Sequence, residues 1–238
     1  MKTVLITGTK REMGLGTALV RAYLGKGYTV FASARDVGQE HLRRLKEEWG
    51  DKLHLVTMDV TKLDDVVACV NFVKNIAPRL DILISNATAA SKDGGKPIDD
   101  GLNIEESLNT YDVNALGFIR LTQQFLGLFE PGCKAVAISS EAGSMGDCWR
   151  DADMDYGMAK AALNFACVTL QRRLGKQGIR VLSIHPGWVQ TRPAPPKADL
   201  SPEEAAALII RTIDSPPDFD EKGNVGVYMN NDGSQKAF

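Results

Sequence analysis

The order of segments in this chain predicts a doubly wound α/β fold. One parallel sheet of about seven strands, covered by helices on both faces, would form a single domain over residues 1–238. Three observations predict it. Short, nearly uninterrupted apolar runs such as Val4-Leu5-Ile6 alternate with longer segments of helical periodicity, as strands buried on both faces require. Residues able to bind or react gather just past the strand ends, at 7–16, Asn86, Ser139-Ser140 and Pro186-Gly187, where doubly wound sheets hold ligands. No Pro-, Gly- or Ser-rich linker and no internal repeat divides the chain.

Residues 4–6 are the first strand, ending at Thr7-Gly8, and Gly14-Leu15-Gly16 opens an amphipathic helix that runs to about Lys26. A second strand is expected over 28–33, a helix rich in Arg, Lys and Glu over 37–49, and a third strand over 53–58. Thr61 is placed as N-cap of a helix over 63–76, since its hydroxyl can accept from free N–H groups. The fourth strand covers 80–85. A loop rich in Gly, Asp and Lys over 91–101 leads into one long helical region over 104–129, then a fifth strand over 134–139. A polar loop reaches Tyr156, whose helix extends to about Lys176. Residues 179–184, 202–213 and 225–229 read as strand, helix and strand.

With 44% hydrophobic and 24% charged residues, the composition is that of an ordinary globular protein. A net charge of −2 gives no footprint for nucleic acid or an anionic membrane, so neither is expected as a partner. No apolar run approaches the roughly 18 residues of a membrane span. The first seven residues read as a strand, not as a secretion signal. Cys69, Cys133, Cys148 and Cys167 show no C-x-x-C spacing and are expected as reduced thiols of a cytoplasmic protein. With His41, His54 and His185 as the only histidines, no metal site is expected.

Tyr156 and Lys160 stand four residues apart and share one helix face. A free phenol titrates near 10, and a close ammonium lowers that value, so the pair can make a proton donor that works near neutrality. Gly8, Gly14 and Gly16 lie between a strand and a helix, where bare backbone can approach a pyrophosphate; a structural turn explains them equally well. Strand two ends in Ala34-Arg35, where an NAD site would favour a carboxylate on the ribose. Arg35 and Arg11 suit a 2′-phosphate instead, or are simply solvated.

Thr7-Gly8, Asp59-Val60, Ser85-Asn86-Ala87, Val113-Asn114, Ile138-Ser139-Ser140, Tyr156-x-x-x-Lys160 and Pro186-Gly187-x-Val189-x-Thr191 follow one another in the order and spacing of the short-chain dehydrogenases/reductases. The resemblance covers nearly the whole chain. His185-Pro186-Gly187-Trp188-Val189, the sixteen residues from Ser140 to Tyr156 and the ending from Tyr228 to Ser234 most resemble the C-factor/sniffer-like carbonyl reductases. The resemblance implies a Rossmann-type domain that binds NADPH/NADP+, reduces a small-molecule carbonyl, and forms a homo-oligomer, dimer or tetramer. It implies catalytic roles for four residues: Tyr156 as proton donor, Ser140 orienting the carbonyl oxygen, Lys160 holding the ribose and lowering the Tyr pKa, and Asn114 anchoring a water. It places Gly8, Arg11, Met13, Gly14, Arg35, Asp59, Val60, Asn86, Ala87, Pro186, Gly187, Val189 and Thr191, with Tyr156 and Lys160, against the cofactor. Ser139, one residue before Ser140, is expected to point to the other side.

Three departures from the family pattern stand out. Glu12 replaces the middle glycine and puts a carboxylate near the expected phosphates; Thr88 replaces the last residue of Asn-Ala-Gly; Pro193, Pro195 and Pro196 make a short, stiff lid after Thr191. The loop before Tyr156 carries Glu141, Asp147, Asp151, Asp153 and Asp155 around Trp149 and Arg150. It reads as a solvated acidic loop, or as a site for a cationic substrate. Three functions follow: carbonyl reduction with its reverse, reduction of a C=N bond, and a cofactor-binding regulatory protein with weak turnover.

Overall fold

Strand β1 (Thr3–Thr7) is buried along its whole length, and its pleat sends Val4 and Ile6 to one face of the sheet and Leu5 to the other. Every strand in the middle of the sheet repeats that two-sided burial, which is why the sequence shows continuous apolar runs. The computed structural model describes residues 1–91, 97–191, 198–218 and 226–238. Among these, β1, β2 (Thr29–Ala34), β3 (Leu53–Thr57), β4 (Ile82–Ser85), β5 (Lys134–Ile138), β6 (Arg180–His185) and β7 (Tyr228–Asn230) form one seven-stranded sheet in the order β3-β2-β1-β4-β5-β6-β7. All its pairings are parallel.

Helices α1 (Leu15–Gly25), α2 (Glu40–Trp49) and α7 (Pro202–Asp214) cover one face through Leu19, Val20, Leu45, Ile209 and Ile213. The other face is covered by α3 (Leu63–Ile76), α5 (Gly117–Phe125) and α6 (Met154–Leu174) through Val66, Val73, Phe118, Leu121, Phe125, Leu163 and Cys167. The chain winds outward from β1 to β3, then returns to start β4 on the other side of β1. Strand order reverses there, so the loops after β1 and β4 part and open a crevice.

Several boundaries differ from expectation for local reasons. The helix expected over 37–49 starts only at Glu40, because the Asp36 carboxylate accepts from Gly38 N and Gln39 Nε2 and holds a turn. Thr61 does not cap α3: its hydroxyl donates to Asp59 Oδ1 (2.7 Å), and Lys62 stands at the cap without a side-chain bond. The long helix over 104–129 is interrupted. Helix α4 ends at Tyr111, a π-helical turn covers Asp112–Leu116, and α5 follows. Within the turn Asn114 Nδ2 donates to Thr110 O (2.8 Å), four residues back, competing for a carbonyl that a regular turn would use. The last strand begins at Tyr228; Val225 lies outside the described residues, as do Pro193, Pro195 and Pro196 of the expected lid. No helix among the described residues is long and apolar enough to cross a membrane.

Candidate active site

Past the end of β1, Gly8 has φ +74°, and a Cβ there would lie 2.7 Å from Ala87 Cα. A Cβ on Gly16 would meet Gly8 O and Asn86 Nδ2 at 2.6 Å each. These glycines let the loop after β1 fold flat against the end of β4. Asn86 fastens it, with Nδ2 donating to Thr7 O (2.8 Å) and Gly8 O (3.2 Å). Thr7 Oγ1 in turn accepts from the backbone N–H groups of Asn86 and Ala87. Gly14 then caps α1 without a side-chain acceptor, leaving a helix N-terminus suited to an anion at the crevice.

The crevice is a cleft of about 1880 Å³. Gly8, Arg11, Met13, Gly14, Arg35, Asp59, Val60, Asn86, Ala87, Ser140, Tyr156, Lys160, Pro186, Gly187, Val189 and Thr191 all line it. Asn114 stands behind its wall, 2% exposed. Lys10, Arg11, Arg35 and Arg44 give one end a basic rim. Arg44 comes from α2, far along the chain, and no local motif marks it. Glu12 also lines the cleft and pairs there with Arg44 (3.2 Å). Ser140, Tyr156 and Lys160 stand toward the other end with Thr88, Glu141, Trp149, Arg150, His185 and Trp188.

Strand alternation separates the two serines as expected. Ser139 Oγ donates to Asn164 Oδ1 (2.7 Å) beneath α6, while Ser140 lines the cleft with Tyr156. Tyr228 donates its phenol hydrogen to Ser140 O (2.7 Å) and steadies that turn. Thr88 also lines the cleft, and its Oγ1 donates to Asn114 Oδ1 (2.7 Å). This departure from the family pattern therefore ties Asn114 to the cleft wall.

In this arrangement the Lys160 ammonium is engaged by a backbone carbonyl. Lys160 donates to Ile138 O (2.9 Å) and lies 5.5 Å from the Tyr156 ring centroid. Burial pushes its ammonium down to about 7. Burial also pushes the Tyr156 phenol above its ordinary value, and the Glu141 charge adds to the rise.

The acidic loop is partly neutralised by Arg150 and Lys236. Arg150 forms ion pairs with Glu141 and with Asp153 (2.7 Å to the latter), and its guanidinium covers the Trp149 ring at 5.0 Å. Asp147 pairs with Lys236 (3.1 Å), and Asp155 is buried. Three of the five carboxylates that suggested a cationic substrate, Glu141, Asp147 and Asp153, thus already hold cations. Burial pushes the Glu141 carboxyl up, but the bonds from Arg150 and Ser140 outweigh it and leave it below the ordinary carboxylate range. His185, whose Nδ1 accepts from Glu141 N (3.2 Å), is pushed down by burial. Among the described residues no group of three or more His, Cys, Asp or Glu could hold a metal.

A family model described as enoyl-(acyl carrier protein) reductase matches residues 8–235. An uncharacterised oxidoreductase of Schizosaccharomyces pombe is 30% identical over 98% of this chain and 96% of its own length. The chain belongs to the short-chain dehydrogenase/reductase family. A short-chain dehydrogenase of Neurospora crassa is 29% identical, again over 98% and 96% of the two chains. Among solved members of the family, carbonyl reductase Sniffer of Drosophila melanogaster superposes with a TM-score of 0.88 at 28% identity over the whole of both chains. A short-chain dehydrogenase/reductase of Burkholderia multivorans, solved with bound NADP, gives a TM-score of 0.85 at 27% identity, covering 100% and 99%.

Proposed function

We propose that this short-chain dehydrogenase/reductase uses NADPH to reduce a ketone or aldehyde of a small molecule, and runs the reverse oxidation with NADP+. One observation carries the reading: a single cleft has a basic rim of Lys10, Arg11, Arg35 and Arg44 at one end and Tyr156, Ser140 and Lys160 toward the other. The NADP-bound Burkholderia protein and the Sniffer carbonyl reductase support it. The donor set fits the cofactor. Bare glycines and the α1 N-terminus suit the pyrophosphate, and the arginines suit a 2′-phosphate, which accepts paired N–H bonds. Asp59 and Val60 would border the adenine, Asn86 and Ala87 the ribose, and Pro186, Gly187, Val189 and Thr191 the nicotinamide.

Bound NADPH supplies the hydride that reaches the carbonyl carbon. The protein's part is to manage the oxygen. Charge develops on that oxygen as the carbonyl opens, and Tyr156 donates its proton there while Ser140 orients it. Lys160, freed from Ile138, would hold the ribose hydroxyls, and Asn114 would steady the same hydrogen-bonded group through Thr88. Four unpaired thiols fit a reducing, cytoplasmic setting. The exposed apolar side chains Ile104, Leu108, Met158 and Phe165 on α4 and α6 fit a homo-oligomer built on these helices.

The test is single-turnover NADPH oxidation against a panel of ketones and aldehydes. Tyr156→Phe is expected to lower the rate by about a thousandfold or more while NADPH still binds, because the phenol acts mainly in the transition state. Full turnover in Tyr156→Phe would overturn the assignment of the acid. NADPH binding without turnover on any carbonyl would favour the regulatory reading.

A further inference from the structure

We propose that Lys236 and Phe238 are positioning residues: the segment after β7 straps the loop before α6 and so holds Trp149 and Arg150 at the catalytic end of the cleft. The proposal rests on the reading of Ser140 and Tyr156 as the place where the carbonyl reacts, and it names what keeps the substrate-facing wall of that place in position.

The loop has little means of ordering itself. Met145, Gly146, Asp147, Cys148 and Trp149 are exposed one after another, so they bury little apolar surface to offset the entropy of a fixed backbone. Trp149 and Arg150 nevertheless line the cleft with Ser140, Tyr156 and Trp188. Arg150 is fixed by Glu141 and Asp153. The stretch from Met145 to Cys148 needs support from another part of the chain.

The segment after β7 supplies it. Past Asn230 the chain reverses: Gly233 N donates to Asn230 O (3.0 Å), and the Asp232 carboxylate accepts from Ser234 N (2.9 Å) and Ser234 Oγ (2.6 Å). The return is antiparallel to β7, with Gln235 opposite Met229 and Lys236 N donating to Tyr228 O (3.1 Å). This register brings two contacts onto the loop. Lys236 Nζ reaches Asp147 Oδ2 (3.1 Å), with the lysine side chain 12% exposed, and Gly146 N donates to Phe238 O (2.7 Å). The Phe238 ring packs against Tyr228 with centroids 5.5 Å apart, and Tyr228 itself donates to Ser140 O (2.7 Å). Residues 228–238 thus grip the chain at Ser140 and again at Gly146-Asp147, on both sides of the turn between them. Gly146 suits the second grip, because a Cβ there would lie 3.1 Å from both Ala237 Cβ and Phe238 O.

Asp147 is half-exposed, so its pair with Lys236 is weak and its loss loosens the strap without unfolding the sheet. A loosened loop lets Trp149 and Arg150 leave their places. Substrate binding then suffers, whereas the basic rim at the other end of the cleft is untouched.

The experiment is amide hydrogen exchange on the protein without cofactor or substrate, followed by steady-state kinetics with NADPH and a reducible carbonyl. The exchange measurement needs no substrate, so it can fail independently of the functional reading. Lys236→Glu and Asp147→Lys should each speed exchange in residues 144–150 by about fivefold, the upper range for an exposed pair, with the sheet unchanged. Combining the two substitutions restores the pair with its signs exchanged and should return exchange toward the parent rate. Gly146→Ala crowds the strap without altering a charge and should loosen the same residues. In the kinetics, each single charge variant should raise KM for the carbonyl severalfold, with kcat and NADPH affinity within about twofold of the parent, and the combined variant should lower KM again. Unchanged exchange in 144–150 on Lys236→Glu, faster exchange spread over the whole sheet, or a loosened loop with an unchanged KM would overturn the proposal. So would a combined variant that recovers neither measurement.

Discussion

Lys160 is buried along its whole side chain, with one backbone carbonyl for a partner. Free lysine titrates near 10.5, whereas this group lies at about 7. Between those values the unfolded chain holds a proton that the folded chain has shed, so stability contributed at this site rises with pH through the window and is flat below it. Lys160→Met should therefore gain most over the parent below about pH 7, by up to roughly 3 kcal/mol, and that gain should shrink toward pH 9.5. Urea unfolding at both ends of the range measures it; a difference independent of pH would mean the ammonium is not desolvated. At the other end of the cleft, Arg35 is exposed. A contact with a 2′-phosphate is worth roughly 1.5–3 kcal/mol, so NADPH should be preferred over NADH by tenfold or more, and Arg35→Ala should erase most of that preference. Equal affinity for the two cofactors would remove the reading. Glu12→Gly releases Arg44 to the same rim and should tighten NADPH severalfold; calorimetry showing weaker binding would give Glu12 a positive role.

Among the elements, α6 is tied to the sheet by Lys160, Gln171 and, with the most bonds, Asn164. Asn164 Oδ1 accepts from Ser139 Oγ on one side and Ser183 Oγ on the other, 2.7 Å each, and Nδ2 donates to Gly143 O (3.1 Å). All these groups are buried, so Asn164→Ala leaves two hydroxyls and a carbonyl without partners, at a cost of about 2–4 kcal/mol. Because α6 carries Tyr156 and Lys160, activity should fall in the same variant below its melting point. Unchanged stability by urea titration would show that water replaces the amide. None of this was visible in the sequence, where Asn164 is one polar residue inside an otherwise ordinary helix. The break in the helix over 104–129 was equally hidden, because no proline marks it. It arises where the Asn114 side chain reaches Ala89 O, a contact between segments far apart in the chain.

The whole molecule has a further consequence on the outer face of α4 and α6. Ile104, Leu108 and Phe165 are each more than 60% exposed. The small residues Ala159 and Ala166 of α6 are buried in the protein's own core. If the chain pairs there, the large side chains make the contact, and Phe165→Glu should convert the oligomer to monomer by light scattering at micromolar concentration. A parent protein that is already monomeric would refute the pairing.

The sheet was legible because a strand buried on both faces leaves a mark that local sequence cannot hide: a short apolar run followed by a turn. Gly8, Asn86, Ser140 and Pro186 were legible as site residues because each follows such a run, and the parallel topology brings all those ends together. The Tyr156–Lys160 spacing likewise determined that the two side chains share a helix face. Their protonation states were not legible. These depend on burial and on which atoms stand within a few ångströms, and the groups responsible come from distant segments: Ile138 O for Lys160, Glu141, Arg150 and Thr88 for Tyr156. The same holds for Glu12, whose charge looked misplaced until α2 brought Arg44 to it. Local pattern decides where a chemical group sits along an element, whereas the electrostatic work needed to charge it is set by neighbours that only the folded chain assembles.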